Sequence, residues 1–424
     1  MSTDQIKRIL LDQHKGILKK DPGIQRRILS GIEEKIHLPF VHVITGMRRC
    51  GKSTLLRQIM LKCFKEEDYY YINFEDERFL GFQAKDFNLI YEALLELFGK
   101  RTVFFIDEIQ NIVGFQHFVR RFSDDGNKFF ITGSNSQLLS SEIGSKLTGR
   151  HIDTLLYPFS FVEFLAFQGK DFSQNDLLIT ESRAIIKSLF SEYFLSGGMP
   201  EYVKYRDKEI LTRIYDDIVV KDIVARFHIE NQTPVRELYR FLASNIGQQY
   251  SYNSLRKAVG IGATITVQKY LDHLEQTFFA KQVPKFAYSL KKQIQNEKKM
   301  FLTDHGFFTV LSMNFSDNKG WIFENLVFSD LSRNNDIYYF HEKNECDFVA
   351  VGKEKKSYAV FQATWEITDQ NRKREISGIE QAMDFLGLNS GTILTMDQEE
   401  QIAAGNKVIQ VVPFWKHCCG SLKS

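Results

Sequence analysis

The chain has few cysteines, almost no net charge and no long apolar run, and each shortage excludes a class of protein. The five cysteines, Cys50, Cys63, Cys346, Cys418 and Cys419, form no C-x-x-C pair and no zinc-ligand spacing. An odd, scattered set fits a reducing compartment better than a disulfide scaffold. Lys plus Arg less Asp plus Glu is 55 − 53 = +2 over 424 residues, so any nucleic-acid-binding surface has to be a local one. The first residues carry charges throughout without an apolar leader core, and no segment approaches membrane-spanning length. The expectation is a soluble, cytoplasmic protein with no membrane partner. No internal repeat or low-complexity segment occurs. What is present is ordinary for globular chains, 43% hydrophobic and 25% charged residues, with room for two or three domains. Phenylalanine is abundant, at 37 residues, and points to well-filled cores.

The most informative stretch begins with a β-branched run, residues 41–45, that reads as a buried strand. Gly46-Met-Arg-Arg-Cys-Gly51-Lys52-Ser53 follows, and from Thr54 the apolar pattern becomes helical. This is G-x-x-x-x-G-K-[ST] between a strand and a helix, the context a phosphate loop requires. Gly46 and Gly51 permit backbone angles and close approaches that a Cβ would block. Loop amides and the helix N-terminus direct partial positive charge at an anion. Lys52 can reach the β- and γ-phosphates, and the Ser53 hydroxyl can ligate Mg²⁺. The expected binding set is Gly46, Arg49, Cys50, Gly51, Lys52, Ser53 and Thr54. Cys50 reads as a small filler, or as a thiol open to modification.

Residues 69–74 read as a second strand and residues 87–98 as a helix. The apolar residues 102–106 then run directly into Asp107-Glu108. A buried parallel strand that ends in Asp-Glu carries a carboxylate to the sheet edge where α/β folds bind ligands. Asp107 is expected in the Mg²⁺ shell, and Glu108 as the base that polarises the attacking water. Residues 129–132 form a further strand ending in Gly133-Ser134-Asn135. Asn135, more than Ser134, is a candidate to touch the γ-phosphate or the water, and a plain loop cap is the alternative. Arg150 precedes a strand over residues 152–156. It reads either as an arginine finger for a neighbouring subunit or as a surface salt bridge.

Several motifs in order now carry a resemblance: Gly46-Met-Arg48-Arg49-Cys-Gly51-Lys52-Ser53, Ile131-Thr-Gly-Ser134, Gly149-Arg150, Pro158-Phe-Ser160 with Glu163-Phe-Leu165, and Gly197-Gly-Met-Pro200. Residues 20–230 resemble the AAA-type P-loop ATPases of a bacterial and archaeal group. The resemblance implies a P-loop parallel sheet with a helical lid, ATP with Mg²⁺, and permits a homo-oligomer. Adenine over guanine rests on it alone.

Beyond residue 235 helices dominate. Residues 255–262 and 264–274 give helix, glycine turn, helix, and a strand is expected over 278–283. This is a winged-helix outline in which Gln268, Lys269 and His273 could face DNA. The last part places Glu324 in an apolar helix, Asp347 leading one strand and Gln362 ending the next. That order resembles the PD-(D/E)xK nuclease fold, and the domain of unknown function that commonly follows such ATPases. Thr364 stands where that fold has its lysine, so the domain reads as degenerate. The expected divisions are an N-terminal helical lead-in over 1–38, the ATPase core over 39–160 and the lid over 161–233. The winged helix follows over 234–300 and a small α/β restriction-endonuclease-like domain over 301–424. The leading function is ATP hydrolysis coupled to the C-terminal domains. An ATP-gated DNA nuclease and a slow ATP switch recruiting a protein partner are the alternatives.

Overall fold

Five apolar strands form the spine of the N-terminal half in the computed structural model, which describes residues 1–135, 149–312 and 318–420. They are β1 (Val41–Thr45), β2 (Tyr69–Asn73), β3 (Val103–Asp107), β4 (Lys128–Gly133) and β5 (His151–Leu155). The sheet order is β2-β3-β4-β1-β5, with every pairing parallel. A parallel sheet is covered on both faces, which is why these strands read as continuous apolar runs and not as alternations. Alternate residues serve opposite cores. Phe104, Phe129, Ile72 and Ile131 pack with residues of α1 (Thr3–Lys19), α4 (Phe87–Phe98) and α5 (Gln116–Asp124). Ile44, Phe105 and Phe130 pack with α2 (Ile28–Glu34) and α3 (Lys52–Cys63). Facing phenylalanines on β3 and β4 stack at 4.8 Å on both sides of the sheet, Phe104 on Phe129 and Phe105 on Phe130. Because the strands are parallel, the residues after Thr45, Asp107 and Gly133 all emerge at one edge.

The backbone divides into two compact units, residues 1–157 with 276–278, and residues 158–275 with 279–424. The second unit opens with helices α6 (Phe161–Phe167), α7 (Thr180–Ser196), α8 (Pro200–Tyr205) and α9 (Lys208–Asp217). The last of these runs on into a π-helical stretch, Ile218–Ala225, and α10 (Thr233–Ser244) follows. The expected helix, glycine turn, helix is α11 (Tyr252–Ala258) and α12 (Thr264–Gln276). An antiparallel pair follows, β6 (Ala280–Pro284) and β7 (Lys298–Leu302), joined through α13 (Leu290–Gln295). The strand expected over 278–283 therefore starts two residues later. His273 stacks on Phe227 with centroids 3.5 Å apart.

After α14 (Phe308–Leu311) and α15 (Lys319–Leu331) comes a mixed sheet of six strands. These are β8 (Asn335–His341), β9 (Glu345–Gly352), β10 (Tyr358–Ala363), β11 (Ser390–Thr395), β12 (Glu400–Ala404) and β13 (Lys407–Pro413), in the order β12-β13-β11-β10-β9-β8. Helix α16 (Arg372–Leu386) lies over β9, β10 and β11, and its Ile379, Ala382 and Met383 join Val349, Val360 and Ile393 in one core. The chain ends in α17 (Phe414–Cys419). The helix–sheet approach is close at Gly378, where an added Cβ would lie 2.0 Å from the Glu345 carbonyl oxygen. Gly378→Ala therefore has to push α16 off β9, and an unfolding titration should register a loss of about 2 kcal/mol. A wild-type midpoint for that variant would mean that the helix does not pack on the strand this closely.

Candidate functional site

The phosphate loop leaves β1 at Thr45 and turns into α3, with Gly51 at the helix N-cap and φ +105°. Gly46 is required by space as well as by angle. A Cβ there would meet the Leu156 carbonyl oxygen at 2.3 Å and the Cys50 sulfur at 2.9 Å. Cys50 is fully buried, and burial pushes its thiol pKa up, so it is the filler and not the modifiable thiol. Arg49 is exposed with a left-handed backbone, φ +64°. Ser53 and Thr54, at the start of the helix, are both half-buried.

Lys52 is only 5% exposed. Its ammonium donates to the carbonyl oxygens of Gly46 and Met47 at 3.2 and 3.4 Å and lies 3.3 Å from Glu108 Oε1. Burial is the largest influence and works against the Lys52 charge, but Glu108, with Cys50 and Asp107 adding to it, outweighs burial and holds the pKa above the ordinary lysine value. Glu108 responds in the opposite sense. Burial opposes its charge, yet Lys52 and a hydrogen bond from Gln110 keep its pKa low, so it is ionised and able to accept a proton. Asp107 is 2% exposed and accepts from the Thr132 hydroxyl and, at 3.3 Å, from the Tyr71 hydroxyl. Burial and the adjacent Glu108 raise its pKa. The Thr132 oxygen also accepts the Glu108 backbone N–H at 2.9 Å, which ties the two strand ends together.

The structure thus brings Gly46, Cys50, Gly51, Lys52, Ser53, Asp107 and Glu108 to one sheet edge. Asn135 lies just past β4 at the same edge and is 1% exposed. Arg150 is not there. It precedes β5, whose His151 pairs with Val41 at the opposite end of the strand, about 16 Å from the loop at 3.3 Å per residue. It is two-thirds exposed and bridges Asp124 at 3.0 Å. Within one subunit Arg150 therefore makes the surface salt bridge of the second reading. The helix expected before Gly149 lies outside the described residues.

Sequence reasoning missed two sets of residues around this site. Arg26, 4% exposed, donates to the carbonyl oxygens of Cys50 at 3.1 Å and Tyr157 at 2.6 Å, clamping the phosphate loop from the N-terminal segment. Gln110 holds Glu108 at 2.5 Å. The only sequence signal for Gln110 was its place two residues after Asp-Glu.

In the second unit, Glu324, Asp347 and Gln362 do come together, lining a cavity of about 630 Å³. Gln362 Oε1 accepts the Asp347 N–H at 3.1 Å, and its Nε2 donates to Glu375 on α16 at 2.8 Å. The cation that Thr364 lacks is supplied from elsewhere. Lys299 of β7, 2% exposed, bridges Glu324 at 2.9 Å and Glu345 at 2.6 Å. Burial penalises the Lys299 charge, and the carboxylates around it more than offset that and raise its pKa. Among the described residues, no three of His, Cys, Asp and Glu are grouped to hold a metal ion. The Lys299 ammonium engages Glu324, one of the ligands that the nuclease reading would give to a divalent cation.

Sheet order, phosphate loop and strand-end carboxylates define the first unit as a P-loop domain of the AAA type. Residues 39–165 match the family model described as an AAA domain, and residues 187–318 match one described as a domain of unknown function, DUF8612. The chain is 34% identical over 420 residues to "Uncharacterized protein MJ1544" of Methanocaldococcus jannaschii, across 94% of this chain and 92% of that protein. It belongs to the same family. An "Uncharacterized protein" of Haemophilus influenzae is 31% identical over 352 residues, spanning 79% of this chain and 85% of the other. The RuvB Holliday junction branch migration motor of Thermotoga maritima is 17% identical, covering 66% of this chain and 94% of that one with a TM-score of 0.30.

The Lys299 bridge gives a stability test. Lys299→Met leaves Glu324 and Glu345 facing each other without their cation, and the second unit should lose about 3–5 kcal/mol in denaturant unfolding. Adding Glu324→Gln should recover part of that loss. A single variant as stable as the parent would mean that the ammonium does not hold these carboxylates.

Proposed function

We propose that the chain binds ATP with Mg²⁺ at the phosphate loop and hydrolyses it, and that nucleotide state governs what the C-terminal unit does. The observation that supports this most directly is the convergence of Lys52, Asp107 and Glu108 at one sheet edge, with Glu108 ionised and within 3.3 Å of the Lys52 ammonium.

The residues fit a hard divalent cation. Ser53 offers a hydroxyl that already hydrogen-bonds Asp107, and Asp107 is a buried carboxylate with no salt bridge among the described residues. Ser53 and Asp107 would hold Mg²⁺ there, and the ion would supply positive charge to offset that of the phosphates. The loop amides between Gly46 and Lys52 orient the phosphates, and the Lys52 donors turn from the Gly46 and Met47 carbonyls onto the β- and γ-oxygens. Glu108 accepts a proton from the attacking water. Asn135 lies at the same edge, where the γ-phosphate would be read. The winged-helix reading of α11, α12 and the β6–β7 pair, and a contact with DNA through it, belong to the same proposal. The nuclease alternative is not carried forward, because Lys299 already holds Glu324, one of the ligands its metal would need.

Glu108→Gln should abolish steady-state ATP hydrolysis while ATP binding, followed by fluorescent-nucleotide displacement, stays within a few-fold of the parent. Hydrolysis by that variant at the parental rate would remove Glu108 from the mechanism. Arg150 can act only in trans, so the rate per subunit should rise with protein concentration, and Arg150→Ala should remove that rise. A flat, slow rate at every concentration would favour a monomeric switch that recruits a protein partner.

A further inference from the structure

Gln110 is a polar side chain at the nucleotide site that the proposed mechanism leaves without a task. It sits on the 3₁₀ turn Ile109–Asn111, immediately past β3. That turn is fixed from below. Glu108 adopts a left-handed backbone, φ +51°, unusual for a residue with a side chain, and its N–H is held by the Thr132 hydroxyl oxygen at 2.9 Å. The bend folds the Gln110 carboxamide back over Glu108. Its Nε2 donates to Glu108 Oε2 at 2.5 Å and lies 3.5 Å from the Ser134 hydroxyl.

This contact fixes which way round the amide stands. Reversing it would set the carbonyl oxygen against the Glu108 carboxylate, two acceptors with no proton between them. The Gln110 Oε1 atom is thus directed away from Glu108, where it is buried and receives no hydrogen bond among the described residues. A buried carbonyl oxygen beside an ionised carboxylate wants a donor. An attacking water has two protons and is best aligned by two acceptors.

We propose that Gln110 is a second acceptor for the nucleophilic water, fixing the Glu108 carboxylate through its nitrogen and the water through its oxygen. The inference rests on the ATPase reading of the site. The water oxygen bonds to the γ-phosphorus as the bond from phosphorus to the β–γ bridging oxygen breaks, and that electron pair leaves with ADP. One water proton passes to Glu108, and the other stays on the new phosphate hydroxyl, hydrogen-bonded to Gln110 Oε1.

The test compares the full chain with Gln110→Ala, Gln110→Glu and Glu108→Gln/Gln110→Ala in ATP hydrolysis, ATP binding and thermal unfolding. Gln110→Ala should lower kcat about 100-fold or more with ATP affinity and midpoint within experimental spread. Gln110→Glu should not rescue, since it places a carboxylate against Glu108. The double variant should be no slower than Glu108→Gln alone, because both side chains act on one water. A Gln110→Ala kcat within two-fold of the parent, or a loss matched by weaker ATP binding, would each overturn the inference and leave the ATPase reading standing. Absence of hydrolysis by the parent itself, with Mg²⁺ and at high protein concentration, would overturn both.

Discussion

Charge kept almost dry at the end of a parallel sheet is the constraint on which the rest of the first unit depends. Lys52, Asp107 and Glu108 lie where solvation is poor, so each is stabilised mainly by the others and by fixed dipoles. That arrangement tolerates little misplacement. It needs β3 and β4 in the register that sets Ile106 beside Ile131, so that Thr132 reaches both Asp107 and the Glu108 amide. It also needs the stacked phenylalanines of β3 and β4 on both faces, which leave the sheet no room to slip. Composition, packing and chemistry are linked here. The many phenylalanines are less a binding code than the means of holding strand ends still.

The second unit solves a similar electrostatic problem with a different answer. Glu324, Glu345, Asp347 and Glu375 converge from three elements of the fold, and a single buried ammonium, Lys299, bridges two of them. Arg374 bonds Glu375 from the surface. Asp347 accepts the Ala363 N–H at 2.8 Å, and burial with the nearby Glu324 charge raises its pKa. The tethered Lys299 ammonium neutralises part of the cluster from within, which is the physical sense in which it departs from a metal-dependent nuclease centre.

The P-loop core was legible in the sequence because its chemistry is local. Phosphate loops and strand-end carboxylates require fixed residue types at fixed short spacings, and parallel strands announce themselves as unbroken apolar runs. The start of α3 was read to within two residues and α4 at both limits, and Asp107 and Glu108 lie where the run 102–106 implied. The distance of Arg150 from its own phosphate loop was not legible, because a residue at a strand start and one at a strand end look equally close along the chain. Only the parallel pairing of β5 with β1 separates them by the length of the sheet. Strands β11 to β13 escaped notice because β12 alternates partly exposed with exposed positions throughout and carries little apolar signal.

Lys299 marks the deeper limit of motif reading. A linear motif asks whether a residue type stands at a given spacing, and at position 364 the answer was threonine. A site asks only that a charge arrive in space. The antiparallel pair β6–β7 delivers an ammonium to the Glu324 carboxylate across 25 residues, and to Glu345 across 46. A usable clue did exist: Lys299 lies in a strand whose Met300, Phe301 and Leu302 are all buried, so its side chain had to be buried as well. A lysine is almost never buried without a carboxylate partner. Reading that requirement forward from the lysine, and not backward from the missing motif position, identifies the cluster and its closure together.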